Sequence, residues 1–212
     1  MKDSVKKIYD ELFFNYPSLG VCAESIASAF EIMKNTYSFG GKILVCGNGG
    51  SAADSEHIVG ELMKGFMLKR KLTAEQKAAF EKVGAGDVAD GLQGALPAIS
   101  LVSHTALATA FLNDCDPELV FAQQVFGYMG KNDTLIALST SGNSANVVKA
   151  VQTASALGGK SVSITGEGGG RLGTLCDAAI RLPSKITPQI QELTLPVYHA
   201  LCAMLEAEFF AG

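Results

Sequence analysis

The sequence predicts an α/β fold: a mostly parallel, five-stranded sheet with helices packed on both faces. Three observations predict it. Short apolar runs alternate with longer stretches of helical pattern, the order that builds a parallel sheet through crossover helices. Runs such as "KILVC" and "TLIAL" are continuous rather than alternating, which suits strands covered on both faces. Two units, at 43–63 and 135–157, share one plan: a strand, a turn of small residues and a helix.

In chain order, residues from about 3 to 37 read as helical, with a break at "NYPSLG". "GKILVCG" is a short buried strand ending in glycine, and "NGGSAADSEHIVGELMKGF" is a glycine turn followed by a helix. The next stretch, 69–96, is more polar. Within it Thr73 and Gln76 have capping-box spacing, which predicts a short helix. "PAISLV" is the second strand, followed by helical "HTALATAFLND" and "PELVFAQQVFGYM", split by Pro117. "DTLIALS" is the third strand and "SANVVKAVQTASAL" its helix. "KSVSITG" is the fourth, before the glycine-rich "GEGGGRLG"; "AAIRLP" is a short fifth. "PQIQELTLPVYHALCAMLEAEFF" is a long closing helix. The organisation predicted is one domain over 1–212, with an N-terminal helical segment (about 1–37) and a C-terminal helix (about 188–210).

Composition narrows the function classes. The chain has 212 residues, is 48% hydrophobic and carries a net charge of −4, so it can bury a core but lacks the basic surface of a nucleic-acid binder. No segment approaches the roughly 18 unbroken apolar residues of a membrane span, and the first residues lack the apolar block of a signal peptide. Five cysteines without a CxxC pair suit reduced thiols. Together these predict a cytoplasmic protein with no direct nucleic-acid or membrane partner.

"LSTSGNS", residues 138–144, holds four hydroxyl side chains where a strand becomes a helix. A helix N-terminus presents free N–H groups and a partial positive charge, which favour phosphate. Ser139, Thr140, Ser141 and Ser144 would add donors, and Gly142 lets backbone approach closely. The alternative is a polar turn with Ser144 as N-cap, but one cap accounts for only one hydroxyl. There is no P-loop lysine, which suits a sugar phosphate bound by hydroxyls and amides. Asn48, Gly49, Gly50 and Ser51 raise the same question after the first strand. That turn is not GxGxxG, and its glycines could equally serve helix–sheet packing.

Only three histidines occur, His57, His104 and His199. His57 and Glu61, four residues apart, share a helix face about 6 Å apart along the axis. Such a pair can hold a divalent metal, supply a base with its partner, or be an ordinary surface pair. Asp54 and Glu56 read as solvated or capping groups. Gln191 and His199 lie about 12 Å apart on a straight helix. They meet at one ion only by reaching toward each other, by a bend at Pro196, or if two chains share the site. His199 alone could equally be a core histidine.

These residues resemble the sugar isomerase (SIS) domain family, and within it the phosphoheptose isomerase branch. "GNGGSAADSEH…GEL" resembles the branch's signature helix, "LSTSGNS" its phosphate loop, and "IQE" followed by His199 its C-terminal helix. The resemblance runs from about residue 5 to 210. It implies a flavodoxin-like three-layer sandwich and a metal, usually zinc, held by His57, Glu61, Gln191 and His199. It implies phosphate and substrate contacts from Ser51, Ser139, Thr140, Ser141 and Ser144, with Asn48 and Gly49 nearby and Gln191 also facing the sugar. It implies a homotetramer with active sites between subunits. Two departures bear on the substrate: His104 stands where the family usually has Asp, and the segment 70–94 is longer.

The reaction implied is aldose–ketose isomerisation of sedoheptulose 7-phosphate to D-glycero-D-manno-heptose 7-phosphate through an enediol. Glu61 would be the base and His199 the acid, with metal assistance at the carbonyl oxygen. A metal-held carboxylate is a poorer base, so the two roles of Glu61 would alternate. Two alternatives are non-catalytic: a sugar-phosphate sensor, and a DnaA-binding scaffold of the kind that resembles the isomerases of this branch; a catalytic alternative is an isomerase for a different sugar phosphate.

Overall fold

The computed structural model describes residues 1–211. Helix α1 (Asp3–Asn15) leads through a 3₁₀ turn (Pro17–Cys22) into α2 (Ala23–Ser38). Strand β1 (Ile43–Cys46) feeds α3 (Gly50–Met63). The polar stretch that follows folds as two short helices, α4 (Ala74–Glu81) and α5 (Gly86–Gly91), before β2 (Ala98–Ser100). The expected capping box is present: Gln76 N–H donates to the Thr73 hydroxyl at 3.2 Å, and the Thr73 N–H donates to Gln76 Oε1 at 2.9 Å. Helix α6 (Thr105–Asp114), a 3₁₀ turn at Pro117–Leu119 and α7 (Val120–Tyr128) precede β3 (Thr134–Leu138). Then come α8 (Ala145–Ala156), β4 (Lys160–Gly166), α9 (Leu172–Leu175), β5 (Ala178–Leu182) and the long α10 (Thr187–Phe210).

The five strands are ordered β2-β1-β3-β4-β5, and every neighbouring pair is parallel. This is the flavodoxin-like order, in which the winding direction reverses between β1 and β3. Both faces of the sheet are covered, as the unbroken apolar strands require. Ile43 and Val45 of β1 join a core with α1, α2, α3 and α10; Leu44 and Cys46 join the opposite core with α7 and α8. The period of two in a strand sends alternate residues to opposite faces, so one short strand seeds both cores.

Register fixes what meets at the edge. Val45 pairs with Ile136 and Cys46 with Ala137, so β1 and β3 end almost level. Their following turns, 47–49 and 139–144, therefore emerge side by side at the reversal, where open α/β sheets form their ligand crevice. The α10 helix runs 24 residues without a break, although Pro196 lies inside it. Pro196 deprives one turn of its N–H, and the buried flanks Val197 and Tyr198 hold the helix against the sheet.

Candidate active site

The hydroxyl turn is built as a small cradle. Gly142 has φ +67°, and the space a Cβ would need is filled by the Gly169 carbonyl; only glycine meets both conditions. The "GEGGGR" segment buttresses the turn from below. Leu172 N–H donates to the Gly142 carbonyl at 3.0 Å, and Arg171 N–H donates to Asn143 Oδ1 at 3.0 Å. Gly166 N–H donates to the Thr140 carbonyl at 2.9 Å, tying the turn to the end of β4.

Ser144 occupies the N-cap of α8 but does not cap it. Its hydroxyl lies 2.9 Å from the Ser139 hydroxyl instead, so the ordinary-cap reading fails. Thr140 is half-buried and Ser141 exposed, leaving both at the mouth of the crevice. Across it, Asn48 and Asn146 exchange side-chain amide hydrogen bonds at 2.9 and 3.0 Å. That pair staples the β1 turn to α8. Asn48, read from the sequence as a substrate contact, is thus engaged, and it is exposed with one amide N–H and one carbonyl lone pair left over. Ser51 is buried in the first turn of α3, and Gly49 has φ +57°.

Deeper along α3, His57 Nε2 stands 3.2 Å from Glu61 Oε1. The i, i+4 spacing read from the sequence does bring them together. His57 Nδ1 lies 2.9 Å from the Tyr198 hydroxyl, which also reaches Asp54 Oδ1 at 3.3 Å. The hydroxyl has one proton to share. Given to Asp54, it leaves Nδ1–H as the His57 donor and turns the Nε2 lone pair toward Glu61, the arrangement a metal-binding imidazole uses. Asp54 is therefore no solvated or capping carboxylate. Burial raises its pKa above the usual carboxylate range, against the opposing Tyr198 hydrogen bond and His57. Tyr198 is pushed up by burial first and by Asp54 second.

His199 sits edge-on to His57 with ring centroids 5.0 Å apart, and against Phe66 at 5.3 Å. Burial lowers its pKa from the ordinary value and nearby His57 adds to the fall; Glu61 opposes both. Two buried polar atoms here lack a partner: Glu61 Oε2 and His199 Nε2. The Lys64 ammonium, 4.0 Å from Oε2, is too far to bond it. Buried unpartnered atoms of this kind call for an explanation. An imidazole nitrogen and a carboxylate oxygen are the donors a divalent ion takes, so the residues fit one in chemistry. Among the described residues, however, no three His, Cys, Asp or Glu side chains stand close enough to enclose an ion as they are.

Gln191 stands at another level. Its amide packs over Gly50, where a Cβ would come within 2.5 Å of Nε2. Helices α3 and α10 thus run side by side in one direction, Gln191 beside Gly50 and His199 beside His57. Seven residues of α3, about 10 Å of rise, separate the two levels. His104 stands apart from this group, its ring 5.4 Å from Tyr128 and its buried Nε2 without a partner. Tyr198, Asn146 and Phe66 had no sequence signal beyond their adjacency to residues already singled out.

Two SIS domain family models match, one over residues 21–94 and the other over 102–207. A phosphoheptose isomerase of Rhodospirillum rubrum is 37% identical over 206 residues, 97% of each chain. The chain belongs to the SIS domain family, among the phosphoheptose isomerases. The Helicobacter pylori (strain P12) enzyme is 39% identical over 192 residues, 91% of this chain and 88% of its own. Solved phosphoheptose isomerases share the fold. That of Neisseria gonorrhoeae matches at TM-score 0.71 and 30% identity, covering 93% and 95% of the two chains. That of Francisella tularensis matches at 0.75 and 28%, covering 96% of each. The flavodoxin-like SIS sandwich expected from the sequence is the fold observed, and the relatives are sugar-phosphate isomerases.

Proposed function

We propose that this chain interconverts sedoheptulose 7-phosphate and D-glycero-D-manno-heptose 7-phosphate. One observation carries the reading: a paired His57–Glu61 with two spare buried donors lies on the same sheet edge as a hydroxyl cradle. The cradle of Ser139, Thr140, Ser141 and Ser144, with Ser51 and the turn at Asn48–Gly49 opposite, anchors the phosphate. Remote binding energy then positions the reacting end. Glu61 takes the proton from the carbon beside the carbonyl. That leaves an enediol(ate); His199, its pKa lowered by burial, accepts the proton of the hydroxyl on that carbon and returns it to the neighbouring carbon, while the proton on Glu61 passes to the former carbonyl oxygen. His57, Glu61, Gln191 and His199 would hold a divalent ion, zinc being the expected one, which supplies polarisation of the carbonyl oxygen when bound. His104 would contact the sugar from the end of β2.

The reading extends to a homotetramer with shared sites, supported by a groove of about 350 Å³ beside His199, walled by Leu12, Phe66, Met67 and Pro196. A cytoplasmic location belongs to the same reading, supported by the charged sugar-phosphate substrate it assigns; among the described residues no helix is long and apolar enough to cross a membrane.

The test is to incubate zinc-supplemented protein with sedoheptulose 7-phosphate and follow aldose signals by NMR. Conversion abolished by a chelator and by His199→Ala is the expected result. Binding without conversion would make the chain a sugar-phosphate binder, or an isomerase for another sugar admitted by His104.

A further inference from the structure

Below the His57–His199 level, the seam between α3 and α10 is closed by a buried ion pair. Arg70 Nε donates to Glu206 Oε1 at 2.7 Å, and the two side chains are 0% and 1% exposed. The rest of the guanidinium turns to α3. One nitrogen donates to the Glu61 carbonyl at 2.8 Å and another to the Leu62 carbonyl at 2.5 Å. The last carbonyls of a helix have no partner within it, and α3 ends at Met63. Arg70 is therefore the C-terminal cap of α3, and it grips the backbone of Glu61 itself.

Glu206 faces the other way. Its carboxylate accepts the N–H groups of Phe66, Met67 and Leu68 at 2.7, 2.7 and 2.9 Å. This fixes the loop that presents Phe66 to His199, 5.3 Å ring to ring. Glu206 also lies on α10, two turns beyond His199. One ion pair thus holds the backbone of the base, the helix of the acid and the ring packed against that acid. Phe210, 5.0 Å from the guanidinium carbon, covers the pair. A core closes as well with apolar residues as with a buried ion pair, so closing the core does not account for it. A planar fork that reaches two carbonyls and a carboxylate at once is what arginine offers and lysine cannot.

We propose that the Arg70–Glu206 pair is a positioning device for the reaction, setting where Glu61 and His199 stand relative to each other. The inference rests on the functional reading above. It assigns neither residue contact with substrate.

The test uses Arg70→Lys, which keeps the charge and loses the fork, and the neutral pair Arg70→Met with Glu206→Gln, which leaves no lone buried charge should the first fail to fold. Circular dichroism establishes that each variant is folded. Nitrogen-15 imidazole NMR then reads three resolved histidines. The signals of His57 and His199 move, while that of His104, outside the seam, does not. With sedoheptulose 7-phosphate, kcat falls about 10–100-fold, the scale of a sub-ångström to ångström misplacement. KM stays within about twofold, because Ser139, Thr140, Ser141 and Ser144 lie on the β3–α8 turn and Ser51 at the far end of α3. A folded variant with unmoved His57 and His199 signals, or with wild-type kcat, overturns the proposal. An intact protein inactive toward this sugar phosphate refutes the functional reading instead, and the histidine signals still decide the positioning claim.

Discussion

Glu61 carries the heaviest demand placed on any single side chain. One carboxylate oxygen meets His57, the other is buried without a partner, and the backbone is clamped by Arg70. Glu61→Gln keeps the size and removes the proposed base, so turnover should vanish while the thermal midpoint moves little; a variant with unchanged turnover would remove Glu61 from the chemistry. Ser141 tests the cradle. Its hydroxyl already accepts the Asn143 N–H at 3.1 Å, and a phosphate contact would be alike in ground and transition states. Ser141→Ala should therefore raise KM several-fold with kcat nearly constant, as loss of uniform binding does; steady-state kinetics would show the reverse if Ser141 acts in the chemical step. A third residue separates stability from activity. Asp177 joins β5 to β4, accepting the Ser161 N–H at 2.9 Å and the Lys160 ammonium at 2.7 Å. Partial burial alone would raise its pKa, but these partners outweigh that and lower it. A depressed carboxyl gives stability that is complete above its unfolded value near pH 4 and is lost as pH falls through the folded value. Asp177→Asn should cost about 1 kcal/mol at pH 7 and nothing by roughly pH 2, read by denaturant unfolding at both pH values. An equal deficit at both would mean the loss is not one of charge.

At the scale of elements, α4 has little tertiary support. It buries no residue, so its capping box supplies a large part of what holds it. Thr73→Ala removes an N-cap worth about 1 kcal/mol. Amide exchange over 73–81 should quicken while the global melting point and the isomerase activity stay put; slowed turnover would instead tie this segment to the crevice. That helix was legible because a capping box is a local signal, read from two side chains three residues apart. So were the strands: continuous apolar runs bounded by glycine and polar turns leave few alternatives. The His57–Glu61 pair was legible for the same reason, since i, i+4 spacing is a property of one helix. Asp54 was misread because its partner, Tyr198, is 144 residues away on α10. Arg70 looked like one more cation in "MLKRKL", and nothing local says that it is buried while its lysine neighbours are exposed. Pairings across α3 and α10 depend on two helices running in register, which no short window of sequence contains.

At the scale of the whole molecule, the question is whether one chain suffices for the reaction. The α3–α10 seam spreads its donors along its length: Gln191 lies with Gly50, while His57, Glu61 and His199 lie about two turns further on. A single ion cannot be reached by all four side chains from those levels without rearrangement. The surface next to His199 is also unfinished. Met67 is 71% exposed beside the groove, and Phe14 on α1 is 85% exposed, large apolar groups whose cover by another copy would remove them from water. If a neighbouring copy completes the site, assembly and catalysis must rise and fall together. Light scattering should then report four chains at working concentration. On dilution, activity per chain should decline over the same range in which the mass declines. Met67→Glu, which places a charge in the groove, should shift that range to higher protein concentration by an order of magnitude or more, the scale on which burying an unpaired charge acts. Added substrate should shift it back, since a ligand bound at a shared site favours the assembled form. Full activity per chain in dilute, monomeric protein would show that Gln191 closes on His57 and His199 within one subunit, and that the groove serves no catalytic purpose.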